Sequence, residues 1–262
     1  MIYLDIGTHK TASSLRQQVL EFNAHKLPFL YEKQLDLLGA LLVKKAPLEK
    51  KDIRRLRRNW TESYKDKDVF LSCEGFSGNL VEALNNTEAI AEDLKHIFMD
   101  CEVNVFCFIR DQADYIESIY AQMVKGGYYR KFEDFLIDYN WRALNWLDKL
   151  NIYHKQFGSV KALPYPCDDC VNSLLNAIQP GLSIEYDNTA IANPSLNNQG
   201  LSLGITLNRH LDTNQQWEYR TFLERCFMKG PGEPFGLFTD NQRELVREYF
   251  KQSNEELWKL YG

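Results

Sequence analysis

The chain has 262 residues, with 31 Lys and Arg against 36 Asp and Glu, a formal net charge of −5 with histidines neutral. Binding to a phosphate backbone calls for a basic excess, so a free nucleic-acid-binding module is excluded as a first reading. A composition of 44% hydrophobic and 26% charged residues excludes the disordered, collagenous and membrane classes. The charge is uneven: residues 44–58 hold Lys44, Lys45, Lys50, Lys51, Arg54, Arg55, Arg57 and Arg58 against Glu49 and Asp52, a local +6 that leaves −11 for the remainder.

Apolar runs rich in β-branched and aromatic residues predict strands at 2–6, 68–72, 103–109 and 158–163. The segments between them have helical periodicity, with Ile53, Leu56 and Trp60 marking one buried stripe and Leu144, Leu147 and Leu150, near Trp146, another. Strand-helix alternation of this kind predicts an α/β fold, a parallel sheet covered by helices on both faces. Beyond residue 164 the pattern becomes helical, at 168–179, 197–211, 214–228 and 239–259, punctuated by Pro164, Pro166, Pro180, Pro194, Pro231 and Pro234. Without repeats or a long linker, 1–262 reads as a single domain with a largely helical C-terminal half. Met1 leads directly into the first strand, and the longest apolar stretch, Leu35–Val43, is short of a bilayer span and contains Asp36. A cytoplasmic chain with no membrane span is therefore expected.

The first strand runs into Gly7-Thr8-His9-Lys10-Thr11-Ala12-Ser13-Ser14-Leu15, which reads as a polar loop opening a helix. Such a loop offers backbone N–H groups and a helix N-terminus to an anion, with Lys10 as a point charge and the hydroxyls of Thr11, Ser13 and Ser14 as donors. A plainer reading is that the hydroxyls merely cap the helix. The loop departs from G-x-x-x-x-G-K-[ST], because only two residues separate Gly7 from Lys10 and no second glycine precedes the lysine. The later run Val69-Phe70-Leu71-Ser72-Cys73-Glu74 also lacks the aspartate that would hold Mg²⁺.

A second constellation closes the run Val103–Ile109 with Arg110, at the carboxyl edge where open α/β sheets bind ligands. Ser118 follows eight residues later, a little over two helical turns, and so can face the same side. A guanidinium with a hydroxyl suits a second phosphate, although Arg110 has Asp111, Asp114 and Glu117 as competing partners.

Together the two motifs resemble the sulfotransferase family that uses 3′-phosphoadenosine 5′-phosphosulfate, and most closely its soluble bacterial, carbohydrate-sulfotransferase-like members. The resemblance implies a P-loop-type parallel sheet. It implies that His9, Lys10, Thr11, Ala12, Ser13 and Ser14 hold the 5′-phosphosulfate and that Arg110 and Ser118 hold the 3′-phosphate. Weaker similarities follow in Ser72-Cys73-Glu74, in Val160–Tyr165, in Asn193-Pro194-Ser195 with the helix to Asn208, and in Asn254-Glu255-Glu256. Ala12 stands where the family has glycine, and alanine suits that place only at negative φ.

The implied reaction is transfer of a sulfuryl group to a hydroxyl of a carbohydrate or other small acceptor, without a metal. Lys10 is then the catalytic cation at the leaving phosphate oxygen, and Glu74 is the general base, its pKa raised toward the working range by neighbours such as Phe76. His9 is the alternative base, and capping or pairing with a lysine is the plainer role for Glu74. The basic segment reads either as the solvated face of an amphipathic helix or as a landing surface for an anionic glycan. Cys167-Asp168-Asp169-Cys170 is a single pair, weak as a zinc signal, and His25, His96, His154 and His210 have no ligand spacing. Two other classes compete: a nucleotide or small-molecule kinase on the same kind of fold, and a non-catalytic protein that retains the fold.

Overall fold

A computed structural model describes residues 1–32, 36–187, 195–230 and 235–262. Leu35, Asn193, Pro194, Pro231 and Pro234, which entered the sequence reading, lie outside the described residues. Internal contacts divide the chain into two compact units, one of Met1–Arg110, Asn145–Ala190 and Lys251–Gly262, the other of Asp111–Leu144 and Ile191–Phe250.

The first unit contains a five-stranded, wholly parallel sheet in the order β2-β3-β1-β4-β5, formed by β1 (Ile2–Asp5), β2 (Leu30–Glu32), β3 (Val69–Ser72), β4 (Val103–Arg110) and β5 (Val160–Tyr165). The α/β expectation holds, and all four predicted strands form. The fifth, β2, adds an edge beside β3. Among the described residues, the α-helices wholly within this unit are α1 (Ser13–Phe22), α2 (Asp36–Lys45), α3 (Lys50–Tyr64), α4 (Thr87–Ile97), α7 (Trp146–Phe157) and α8 (Cys170–Ile178).

Side-chain alternation sorts the strands onto two faces. Tyr3 and Asp5 of β1 register with Phe70 and Ser72 of β3, and Asp5 also registers with Phe106 of β4. On this face Phe70, Phe106, Phe108 and Leu163 form a buried cluster with Val19 and Leu20 of α1 and Val171, Leu174 and Leu175 of α8. Arg110 continues the row of Phe106 and Phe108. On the opposite face Cys107 and Ile109 line a small cavity with Trp146, Leu150 and Tyr153 of α7.

The second unit contains α5 (Gln112–Lys125), α6 (Phe132–Asp138), α9 (Asn198–Asn208), α10 (Thr213–Cys226) and the first half of α11 (Asp240–Tyr261). Its core is aromatic, with Tyr120, Phe132, Phe135 and Phe238 packed ring to ring. Glu117, only 1% exposed, is held there by the backbone N–H groups of Leu237 and Phe238 at 2.8 and 2.9 Å and by Arg243 at 2.7 Å. The helices at 170–178, 198–208, 213–226 and 240–261 match the expected helical half closely.

Candidate anion site

β1 lies at the centre of the sheet, between β3 and β4, so its carboxyl end is where the strand order reverses. Open α/β sheets bind ligands in the crevice at such a point. The loop from β1 to α1 occupies it. Its φ turns positive at Lys10 (67°) and Ala12 (57°) but not at Thr11 between them. Left-handed turns alternating with ordinary ones bring successive backbone N–H groups to a common concavity, an arrangement that attracts anions. The helix that follows has Ala12 as its N-cap with no side-chain hydrogen bond to its first turn, and no acidic residue in that turn. The N-cap residue therefore supplies no carboxylate or hydroxyl to the orphan amides of α1. The N-cap position is held by Ala12, so no loop hydroxyl caps α1 from it, and the condition under which alanine suits the place of glycine is not met: Ala12 is left-handed, at φ 57°.

The loop is braced from behind. Thr8 Oγ1 donates to Phe108 O at 2.7 Å and Thr11 Oγ1 to Thr8 O at 2.6 Å. Arg16 of α1 donates to Thr11 O, pairs with Asp5 at 3.0 Å, and lies over the Phe108 ring at 4.0 Å. Arg16 and Asp5 are both fully buried, and Asp5 also accepts from Ser72 Oγ at 2.9 Å. Gln17 completes the brace on Ser72 O at 3.1 Å. Asp5 and Arg16 escaped the sequence reading. The signal was a carboxylate inside an apolar strand, since a buried charge demands a partner.

Arg110 ends β4 beside this loop, and its Nη1 donates to Lys10 O at 2.8 Å. Its guanidinium lies 5.6 Å from the centre of the Tyr165 ring, and its own carbonyl accepts from Trp146 Nε1 at 2.9 Å. Its acidic neighbours in sequence have other partners: Asp111 pairs with Arg247 at 3.1 Å, and Asp114 and Glu117 pair with Arg243. Lys10 and Arg110, predicted from separate motifs, are thus joined by a hydrogen bond. Ser118 belongs to α5 of the second unit and is 1% exposed.

Glu74 follows β3 and reaches the same loop. It shares a 2.9 Å hydrogen bond with His9 Nδ1 and accepts from Ser13 Oγ. Burial pushes its carboxyl up, but the His9 hydrogen bond and charge, the Ser13 hydroxyl and the Lys10 charge outweigh this and hold it at about 2. The direction is opposite to that expected from Phe76. His9 Nε2 faces Gly78 O at 3.3 Å, so both ring nitrogens face protein acceptors. The hydroxyl protons of Thr11 and Ser13 are committed to Thr8 O and Glu74, leaving the half-buried Ser14 as the loop hydroxyl without a partner among the described residues.

The arrangement suits an anion: a loop with alternating left-handed turns, a helix N-terminus without a side-chain cap from its N-cap residue, and two cationic residues, Lys10 and Arg110, joined through the Lys10 carbonyl. Among the described residues no group of His, Cys, Asp and Glu is disposed to hold a metal ion, and no helix is long and apolar enough to cross a membrane. In the basic segment, Lys51, Arg55, Arg57 and Arg58 pair with Glu49, Asp52, Asp100 and Glu62, as on a solvated helix face.

No protein-family model and no solved structure matches the chain. An uncharacterized protein of Archaeoglobus fulgidus is 24% identical over 174 residues, covering 63% of this chain. The chain matches 47% of that relative's length, about half of it.

Proposed function

We propose that the chain is a sulfotransferase of P-loop-type fold that moves a sulfuryl group from 3′-phosphoadenosine 5′-phosphosulfate to a hydroxyl of a carbohydrate or small-molecule acceptor. The observation that carries this reading is the hydrogen bond from Arg110 to Lys10 O, which joins two anion-binding elements at the carboxyl ends of adjacent central strands. In this reading the loop amides, Lys10 and Ser14 hold the 5′ end of the co-substrate, and Arg110 holds the 3′-phosphate. The co-substrate supplies an activated sulfuryl group with a phosphate leaving oxygen. Lys10 stabilises negative charge there, and the braced loop fixes the line of approach.

Glu74 is the proton acceptor in this scheme, and His9 orients it. A carboxyl at about 2 is a weak base, but an anion arriving beside Lys10 offsets part of the positive field that holds it down. Its proton affinity therefore rises when the co-substrate binds. A second reading, a non-catalytic binder with the same anion site, is favoured by the low proton affinity of Glu74 and by the engagement of both His9 nitrogens. The basic segment at 44–58 is the surface to which an anionic acceptor would be drawn.

Calorimetric titration with 3′-phosphoadenosine 5′-phosphate and with ADP, each with and without Mg²⁺, tests the reading. Binding of the bisphosphate without metal is expected, weakened about 10- to 100-fold in Arg110→Ala, the equivalent of a charged hydrogen bond. Preference for ADP with Mg²⁺ overturns it in favour of a kinase. Glu74→Gln separates enzyme from binder: it should keep bisphosphate binding and lose sulfuryl transfer. A wild-type protein that binds but never transfers across a panel of hydroxyl acceptors supports the binder.

A further inference from the structure

Cys167 and Cys170 are joined by a disulfide in the turn that leads from β5 into α8, their Cα atoms 5.7 Å apart. That separation is ordinary for a bridge. The loop it closes contains only Asp168 and Asp169, so it restricts the unfolded chain little. The turn is also held without it. Asp169 caps α8 by accepting from Asn172 N at 2.9 Å, and it accepts from Asn172 Nδ2 and from Tyr186 OH, both at 2.7 Å. Asn172 in turn accepts from Ile184 N at 2.8 Å and donates to Ile184 O at 3.0 Å. A covalent staple adds little to a turn secured this way, which leaves the bridge without a structural reason.

The two sulfurs are placed differently. Cys170 is the first residue of α8 and packs, 7% exposed, into the cluster of Val171, Leu174 and Phe108, whereas Cys167 is half-buried at the edge of that cluster. An incoming thiolate therefore reaches Cys167 first. The sulfur it expels, Cys170, is the first residue of α8, at the positive end of the helix dipole, which offsets part of the cost of its burial and of the neighbouring Asp169 carboxylate.

We propose that Cys167 and Cys170 are a reversible thiol–disulfide exchange site that accepts two electrons from a dithiol reductant. One thiolate of the reductant attacks Cys167 Sγ; a mixed disulfide forms there, the bond to Cys170 breaks, and Cys170 leaves as the thiolate. The second thiol of the reductant loses its proton and attacks its own partner sulfur, which releases Cys167 as a thiolate and the reductant as a cyclic disulfide. The protein pair is reduced by two electrons, the reductant is oxidised by two, and solvent supplies or takes the protons. This assignment is independent of the sulfotransferase reading.

Native protein is equilibrated with dithiothreitol, alkylated with iodoacetamide and mapped by peptide mass spectrometry, with the free cysteines Cys101 and Cys226 as internal references. The peptide carrying both cysteines should be unlabelled before reduction, doubly labelled after it without denaturant, and bridged again after exposure to oxidised dithiothreitol. In Cys170→Ser the remaining Cys167 should form a mixed disulfide with an aromatic disulfide reagent at least about tenfold faster than Cys170 does in Cys167→Ser. A bridge that opens only in denaturant, a peptide alkylated before any reductant is added, or equal reactivity of the two single variants overturns the proposal.

Discussion

Ala12 holds a left-handed backbone at φ 57° and ψ 28°, where its β-carbon crowds the neighbouring carbonyl. An L-residue pays about 1–2 kcal/mol for that conformation, while glycine loses about 0.5–1 kcal/mol through its freer unfolded chain. Ala12→Gly should therefore be stabilising by up to about 1 kcal/mol, read as a higher midpoint in urea with an unchanged slope. A lower midpoint would mean that the methyl group packs usefully. The alanine in place of glycine was legible in the sequence; the sign of φ was not, because Arg110 and Arg16, which grip the Lys10 and Thr11 carbonyls just before it, come from outside the loop. Glu74 teaches the same lesson. Its place beside the loop was readable from its position after the third strand, but the direction of its pKa was not. Phe76 is its neighbour in sequence, whereas His9, Lys10 and Ser13, which decide the matter, are more than sixty residues away.

At the scale of elements, the buried pair Asp5–Arg16 ties the end of β1 to the first turns of α1 and is itself tied to β3 through Ser72. Removing one charge strands the other in an apolar setting. Arg16→Met should cost about 3–5 kcal/mol, whereas adding Asp5→Leu to it should recover much of that loss, measured by chemical unfolding of the single and double variants. A double variant as unstable as the single one would show that the arginine matters chiefly for its bond to Thr11 O. The three inner strands were readable because each is an apolar run that is almost wholly buried, and the edge strand β5 because it keeps a buried apolar centre at Ala162 and Leu163. The edge strand β2 was not: its three residues, Leu30–Glu32, are exposed or half-buried and lack the apolar pattern on which a strand reading rests. The stripe of α3 was legible, yet it is graded, with Trp60 buried and Ile53 and Leu56 only half so.

For the whole molecule, a net charge of −5 conceals a site whose groups sum differently: Lys10, Arg16 and Arg110 stand against Asp5 and Glu74. Net charge alone could exclude a broad polyanion surface but could not speak about a single concave anion site. Nor did the sequence reveal the partition into two units, because three of its four boundaries, at Arg110, Leu144 and Phe250, carry no linker composition. Acid behaviour belongs to this scale. Burial pushes the carboxyls of Glu74, Asp169 and Glu224 up, yet their hydrogen bonds and, for Glu74 and Glu224, cationic neighbours leave all three below their ordinary values. Depressed carboxyls contribute stability above their unfolded values, and that contribution is lost as pH falls through the folded ones. For Glu74 the window runs from 4.5 down to about 2. The thermal midpoint should fall across it, and the fall should be shallower in Glu74→Gln, followed by circular dichroism at a series of pH values. An identical decline in that variant would remove Glu74 from the acid response.

The bracing of the loop has one more consequence. The carbonyls of Thr8, Lys10 and Thr11 each already accept a protein donor, from Thr11, Arg110 and Arg16 in turn. Carbonyl oxygens are the groups with which a bare loop would coordinate a cation, and here they are turned inward and engaged, while the amides have no such internal claim from α1's cap. Under the proposed function the loop would sort ligands by the sign of their charge before any side chain reads their shape. In that proposed function, discrimination among anions falls to Lys10, Ser14 and Arg110, and a change in specificity would begin at those three positions rather than in the backbone that supports them.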